Sequence, residues 1–310
     1  MAEIELGRFS VNGYRGLPDA PPFSVVEGEL PVIVSAPHAV SQLREGRVKP
    51  SDDFTGAMAL VVAELSGASA IIASRYDACD PNWDPFERCA YKQALAEMVR
   101  ELGAVAVIDL HGVPAVAPDA IEIGSADGLT VKAMPGVDEF ACRFLREQLS
   151  EHLGRRGKTV GLNGRHGARG ANTVAHAIAR ECGVATLQIE ISSPFRVPID
   201  AKGHVPPGEA IPFTSDQIPI ELEARRNPDP ACVEATVRAL ADLARIASGG
   251  RSPDQACANE SAVIQGPTPE SFCYVKRTVP PAQNPPPKRY SGNKLCDWTG
   301  EHHEATRHRR

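Results

Sequence analysis

VAVIDLHGV, residues 105–113, is an apolar run of strand length that passes into Asp109, His111 and a glycine. An unbroken apolar run is typical of a strand that helices cover on both faces. VIVSAPHAV, residues 32–40, repeats the pattern and runs through a proline into His38. Two buried strands that each lead to a histidine predict an α/β fold with polar side chains at one edge of its sheet.

The chain on either side of these stretches alternates between strand and helix patterns from about residue 30 to residue 250. Helix signals include a proline near the first turn and a glycine after the last one. We predict one α/β domain with a mostly parallel or mixed sheet and helices on both faces. The predicted strands are 31–37, 69–75, 104–112, 120–125 and 184–192, and the predicted helices are 53–67, 84–103, 137–154, 173–182 and 229–248.

Composition narrows the class of protein. The 310 residues are 42% hydrophobic and 23% charged, as in ordinary globular domains. The net charge of −6 and the pI near 5.9 argue against nucleic acid or an anionic membrane as a partner. No apolar run is long enough to span a membrane, and the first ten residues lack the pattern of a secretory signal, so we expect a cytoplasmic protein.

We assign the predicted domain to residues 1–250. Residues 251–310 contain eight prolines and little hydrophobic periodicity, with nine Lys and Arg against six Asp and Glu. This composition is typical of a disordered or loosely attached tail.

The strand ends suggest a metal site. In an open α/β sheet, ligands bind beyond the carboxyl ends of the strands, where His38, Arg75, His111 and Glu190 are all expected. A catalytic zinc ion takes three protein ligands and leaves one position for water, so two histidines need one carboxylate more. KPSDDFTG, residues 49–56, offers Asp52 and Asp53, of which one can cap the following helix.

Two further acidic residues lie on the predicted strands. Asp109 shares a strand face with His111 and either orients that imidazole or holds a loop backbone. Glu190 interrupts the apolar strand LQIEIS, where an unpartnered carboxylate is costly. Beside a zinc-activated water it would act as a general base; the alternative is an ordinary salt-bridged glutamate.

Two polar loops are candidates for substrate binding. GLNGRHGARGANT, residues 161–173, combines glycines with arginines that can hold a carboxylate, although a flexible surface loop has the same composition. We give His166 no role and place His176 on a helix surface. SRYDACDPNW, residues 74–83, carries Arg75, Asp80 and Asn82 after a strand.

The order of these motifs resembles the N-formylglutamate amidohydrolase family. The resemblance covers roughly residues 30–197. The segments that carry it are APH (36–38), SDDF (51–54), SRYDACDPN (74–82), DLHG (109–112), NGRHGARG (163–170) and LQIEIS (187–192).

This resemblance implies a fold related to the zinc carboxypeptidases and hydrolysis of the amide of an N-acyl amino acid. It implies that His38, His111 and one aspartate of 52–53 hold the metal, with Glu190 beside the water. Because the family segment reads Asp-Thr-Asp-Trp, we favour Asp53. Asn163, Arg165, Asp80 and Asn82 match the family segments Asn-Gly-Arg and Asp-x-Asn, whereas PHAV replaces the usual PHSG and Trp83 replaces an arginine.

The resulting hypothesis is a zinc-dependent amidohydrolase, although other divalent ions also suit these ligands. Glu190 is the base, Arg165 or the metal stabilises the oxyanion, and Arg75 or Arg165 binds the substrate carboxylate. Asp80, Asn82 and Asn163 complete the substrate site.

The alternatives are a related metal-dependent hydrolase of another amide, such as a peptide or cell-wall fragment, and a non-catalytic binder of an acidic small molecule. The hypothesis requires the imidazoles of His38 and His111 within about 7 Å, because both must bond one ion at about 2 Å.

Overall fold

The computed structural model describes residues 1–198 and 229–249. The predicted tail at 251–310 lies outside these residues. Among the described residues, no helix is both long enough and apolar enough to cross a membrane.

A seven-stranded mixed sheet forms the centre of the fold, in the order β1-β5-β2-β6-β9-β7-β8. The four strands β5, β2, β6 and β9 are parallel, β1 and β7 are antiparallel to their inner neighbours, and β8 is parallel to β7. A separate hairpin is formed by β3 and β4. The strands are β1 Phe23–Val26, β2 Leu30–Ala36, β3 Gln42–Arg44, β4 Arg47–Lys49, β5 Ala68–Ala73, β6 Ala106–Val113, β7 Ile121–Gly124, β8 Val160–Leu162 and β9 Ala185–Ser192.

Helices cover the sheet, as the sequence predicts. The helices are α1 Thr55–Ser66, α2 Ala90–Leu102, α3 Val137–Gln148, α4 Ser150–Arg156, α5 Val174–Cys182, α6 Ser193–Arg196 and α7 Pro230–Ser248. The long helix α7 packs against α1, α3 and α6, whereas α2 packs against α5. Short helical turns lie at Ala2–Ile4, Glu5–Phe9, Val11–Tyr14, Phe86–Arg88 and Leu129–Val131.

Helix ends follow the signals in the sequence. Gly103 ends α2 with φ of 59°, in the left-handed region that glycine enters without strain. Thr173 caps α5 by accepting a hydrogen bond from the backbone N–H of His176. The predicted helix 137–154 is two helices, because the chain turns at Leu149.

The core lies between the sheet and its helices, where the aliphatic side chains of β2, β5, β6 and β9 pack against the buried faces of the helices. The predicted α/β fold with a mixed sheet is therefore confirmed. The four parallel strands are neighbours, so the residues at their carboxyl ends share one edge of the sheet. His38 follows β2, while His111 and Glu190 occupy paired positions near the ends of β6 and β9.

Candidate metal centre

The imidazoles of His38 and His111 are brought together at this edge. Their ring centroids are 5.0 Å apart, within the distance that the hypothesis requires. Both side chains are 2% exposed. The parallel pairing of β2 with β6 produces this proximity, because both strands end at the same level of the sheet.

Asp52 supplies a carboxylate oxygen to both rings. Its Oδ2 lies 3.4 Å from Nδ1 of His38 and 3.4 Å from Nδ1 of His111. These ligand atoms all lie within 4.8 Å of one another. Zinc bonds of about 2.0–2.2 Å in tetrahedral geometry place neighbouring ligand atoms about 3.3–3.5 Å apart, so the observed spacing fits a zinc ion.

The preference for Asp53 is corrected by this geometry. The backbone N–H of Asp52 donates to the carbonyl of His38 at 2.8 Å, which fixes Asp52 beside the first imidazole. The carbonyl of Asp52 accepts from Thr55 at the start of α1. Asp53 accepts a hydrogen bond from the hydroxyl of Ser51 and is not a member of the His38–Asp52–His111 group.

A buried carboxylate also contacts the Nε2 atom of each imidazole. Nε2 of His38 lies 3.0 Å from Oδ1 of Asp80, and Nε2 of His111 lies 2.9 Å from Oδ2 of Asp109. A carboxylate at Nε2 places the proton there and leaves the Nδ1 lone pair for a metal. Nδ1 of His38 is buried and has no hydrogen-bond partner among the described residues, as expected of an atom that binds an ion.

The charges around the centre keep the ligand carboxylate ionised. Burial alone would raise the pKa of Asp52, but the ammonium of Lys49, 2.7 Å from Oδ1, and the two imidazoles hold it well below its usual value. Burial likewise lowers the pKa of His111, yet the carboxylates of Asp109, Asp52 and Glu190 outweigh it and hold that pKa well above the usual value. The centre is therefore built to hold positive charge.

Glu190 lies on the strand next to His111. The two residues are paired in the parallel register of β6 and β9, so both side chains point to the same face. The carboxylate is 7% exposed and accepts a hydrogen bond from Nε2 of Gln188 at 3.0 Å. Burial raises the pKa of Glu190, in part against the positive charge of His111. A carboxylate with a raised pKa beside a metal site is suited to accept and return a proton.

Two of the predicted substrate residues have a supporting role in the fold. Asp80 is fully buried, and its two oxygens contact His38 and, at 2.7 Å, Nε of Arg44. Asn82 accepts from the backbone N–H of Val174 and so fixes the start of α5. Both oxygens of Asp80 are bonded within the fold, which corrects its assignment as a substrate residue. The amide nitrogen of Asn82 lies 3.4 Å from Nε2 of His111, and the assignment of Asn82 stays a prediction.

Asn163 and Arg75 are also used within the fold. Asn163 accepts from the backbone N–H of Ser125 and donates to its hydroxyl, both at 2.8 Å. Arg75 donates to the carbonyl of Pro18, where it anchors the N-terminal segment. Asn163 is corrected as a substrate ligand, because Ser125 occupies both its oxygen and its nitrogen, whereas the assignment of Arg75 stays a prediction.

Arg165 is exposed and makes no hydrogen bond or ion pair within the described part of the chain. It remains a candidate for contact with a substrate. Its neighbour His166, which the sequence left without a role, contacts Glu122 of β7. The signal for Glu122 was available, since the triplet Ile-Glu-Ile of β9 is repeated at 121–123.

Comparisons with known proteins give similarity of fold alone. No protein-family model matches the sequence, and no curated protein matches it. Solved structures are similar to this chain in fold, and three of them illustrate the similarity. A bacteriophage poly-gamma-glutamate hydrolase is 14% identical, with a TM-score of 0.38 over 75% of this chain and 91% of its own. A metallo-carboxypeptidase from Pseudomonas aeruginosa is 13% identical, with a TM-score of 0.40 over 77% and 60%. The CwlD amidase from Clostridioides difficile is 10% identical, with a TM-score of 0.35 over 71% and 98%. The resemblance to N-formylglutamate amidohydrolases therefore stays a prediction, and the site is interpreted from its own geometry.

Proposed function

We propose that this protein is a zinc-dependent hydrolase that cleaves the amide bond of an N-acyl amino acid. The observation that carries the proposal is the convergence of three ligand atoms. Nδ1 of His38 and Nδ1 of His111 both face Oδ2 of Asp52, at the spacing of a tetrahedral zinc ion. When bound, zinc supplies Lewis acidity, which polarises a carbonyl and lowers the pKa of water to about 7.

The side chains prepare the remaining steps. Asp80 and Asp109 hold the imidazoles so that Nδ1 faces the centre. Lys49 neutralises one oxygen of Asp52 and leaves the other for the ion.

Glu190 is the group that moves the proton. Gln188 engages one of its oxygens, and the other accepts a proton from the attacking water. The protonated carboxyl then donates to the leaving amine, which would otherwise depart as an unstable anion. Its raised pKa supports both roles, because a carboxylate that ionises nearer to neutral pH is a better base and a usable acid.

The test begins with metal removal. Purified protein is stripped with a chelator, reloaded with zinc and assayed against formyl-, acetyl- and succinyl-amino acids. We expect hydrolysis to disappear on chelation and to return with zinc. Hydrolysis that is indifferent to chelators would overturn the mechanism, whereas zinc-dependent cleavage of peptides alone would overturn only the substrate class.

Glu190→Gln separates catalysis from binding. The variant should retain zinc and lose at least about 100-fold in kcat, the usual contribution of a general base. Glu234→Gln is the matched control, because Glu234 is an exposed residue of α7 with its only described partner at Arg238. Turnover that survives in Glu190→Gln would assign the proton transfer to another group.

A further inference from the structure

Glu122 and His166 form a pair beside the candidate metal centre that the mechanism above does not use. Glu122 is buried on β7, and both of its oxygens face one residue, His166, of the loop that follows β8. Oε1 accepts from the backbone N–H of His166 at 2.5 Å, and Oε2 lies 3.2 Å from the ring atom Nδ1. A buried carboxylate is costly unless it is bonded at both oxygens, and His166 fulfils that requirement.

The imidazole of His166 is anchored on one side and open on the other. Its side chain is 32% exposed, in contrast to the 2% of His38 and His111. Because Glu122 occupies Nδ1, the remaining nitrogen Nε2 is the free one. The ring therefore presents a fixed hydrogen-bonding atom at an accessible surface.

The loop around His166 is held rigidly against the sheet. The carbonyl of His166 lies so close to Gly124 that a Cβ there would meet it at 2.5 Å. Asn163 and Ala168, at either end of the turn, have φ of 51° and 57°. Non-glycine residues in this region are strained, and such strain persists only where the surroundings impose it.

The same loop is connected to Glu190. Nε2 of Gln188 donates to the carbonyl of His166 at 3.2 Å and to Glu190 at 3.0 Å. Glu190 also lies opposite Glu122 in the antiparallel pair of β9 and β7. Since neighbouring strands are about 4.8 Å apart, the Glu122–His166 pair lies one strand beyond Glu190, on the side away from His111.

We propose that His166 binds the carboxylate of the substrate as an imidazolium, with Nδ1–H donating to Glu122 and Nε2–H donating to the substrate, and that Glu122 is its positioning residue. This inference rests on the proposed function and deepens it, because it names the side chain that recognises the carboxylate of the N-acyl amino acid. A carboxylate a few bonds from the scissile carbonyl reaches one strand spacing beyond Glu190. The exposed cation Arg165 precedes His166 in the same loop and favours an anion there.

The test uses a pair of probes that differ only in charge, N-acetylglycine and N-acetylglycinamide. Binding is measured by calorimetry to zinc-loaded Glu190→Gln protein, in which turnover is suppressed. His166→Asn is added to this background, because the asparagine Nδ2 can replace Nδ1 at Glu122 while the outward nitrogen is removed. We expect N-acetylglycine to bind about 10- to 100-fold more weakly, the worth of one charge-assisted hydrogen bond, and N-acetylglycinamide to be unchanged.

His152→Asn is the control for loss of a histidine, since His152 lies on α4 with Arg155 as its hydrogen-bond partner. It should leave both affinities unchanged. Equal affinity of N-acetylglycine for His166→Asn and its parent would overturn the inference. Equal weakening of both probes would also overturn it, because that result describes a structural role.

Nitrogen NMR of the imidazole provides a readout that does not need turnover. We expect both ring nitrogens of His166 to carry protons when N-acetylglycine is bound, which the Nδ1 and Nε2 resonances report. Glu122→Gln should remove the proton from Nδ1, because the glutamine amide donates to that nitrogen. A protein that shows these resonances without hydrolysis would retain the inference and reject the proposed function, whereas hydrolysis without them would do the reverse.

Discussion

Glu122 and Glu190 lie directly opposite each other across the antiparallel pair of β7 and β9, each at the centre of an Ile-Glu-Ile triplet. The flanking isoleucines are fully buried, so two carboxylates project from an otherwise apolar stretch of sheet. Like charges in such positions repel each other unless each has its own partner. Glu122 has His166, and Glu190 lies in register with His111. Glu122 therefore belongs to the part of the site next to the loop around His166, which we call the loop side, and Glu190 belongs to the part next to the candidate metal centre.

The loop side depends on the absence of a side chain at position 124. We expect Gly124→Ala to lower the free energy of unfolding by about 1–3 kcal/mol, because its Cβ would overlap the backbone of His166 and Ala168. Gly154→Ala is the matched control, since nothing lies within 4 Å of a Cβ in that helical position. The control should be neutral or stabilising by up to about 1 kcal/mol. Urea unfolding of both variants measures the difference, and equal stabilities would contradict the packing described for this loop.

The assignment of Asp52 rather than Asp53 is tested by two single substitutions. Asp52→Asn removes the anionic oxygen that faces both Nδ1 atoms and should lower zinc affinity at least about 100-fold, more than loss of a supporting residue costs. Asp53→Asn removes the same charge one position later and should leave zinc affinity almost unchanged. Competition with a chromogenic chelator measures both affinities. The reverse order of effects would restore the prediction from sequence.

Asp80 and Asp109, which contact the Nε2 atoms of the two imidazoles, should also affect the affinity for the metal. Asp109→Asn and Asp80→Asn each replace an acceptor at Nε2 with an amide, which no longer specifies the proton position. We expect zinc affinity to fall about 10- to 100-fold in each variant. Asp242→Asn serves as the control, because Asp242 is on α7 with Arg245 as its partner. Wild-type zinc affinity in both site variants would show that these carboxylates serve only the fold.

The sequence was sufficient to predict the elements that periodicity specifies. Apolar runs of strand length and amphipathic helices identified the parallel core, and the parallel core in turn placed His38 and His111 at one edge. The short strands β1, β3, β4 and β8 were missed, since three or four residues are too few to show a pattern.

The residues of the site that were misassigned have a common physical cause. Asp80 and Asn163 are polar loop residues, which serve equally well to bind a substrate or to support the fold. Only long-range contacts decide between these uses. Similarly, the sequence does not distinguish the adjacent aspartates Asp52 and Asp53. The backbone hydrogen bond from Asp52 to His38 decides which of the two side chains faces the imidazoles.

Glu5 is a buried acid that no sequence pattern marks, and it couples the stability of the fold to pH. Its Oε1 accepts from the backbone N–H of Phe54, and the residue is fully buried. Burial raises the pKa of Glu5 from 4.5 to about 8. Between these values the unfolded chain is ionised and the folded protein retains the proton, so the folded state binds more protons and stability falls as pH rises.

Glu5→Gln should remove this dependence, because the glutamine keeps an acceptor for Phe54 and carries no charge. Relative to the wild type, the variant should gain stability from about pH 4.5 to about pH 8 and no more above that range. The gap between the two pKa values limits the gain to about 4–5 kcal/mol. Urea unfolding at a series of pH values measures this gain in the free energy of unfolding.

Glu3→Gln, at an exposed position two residues earlier, removes the same formal charge as a control. A stability difference between Glu5→Gln and wild type that is constant across this range would mean that Glu5 is already ionised in the folded protein.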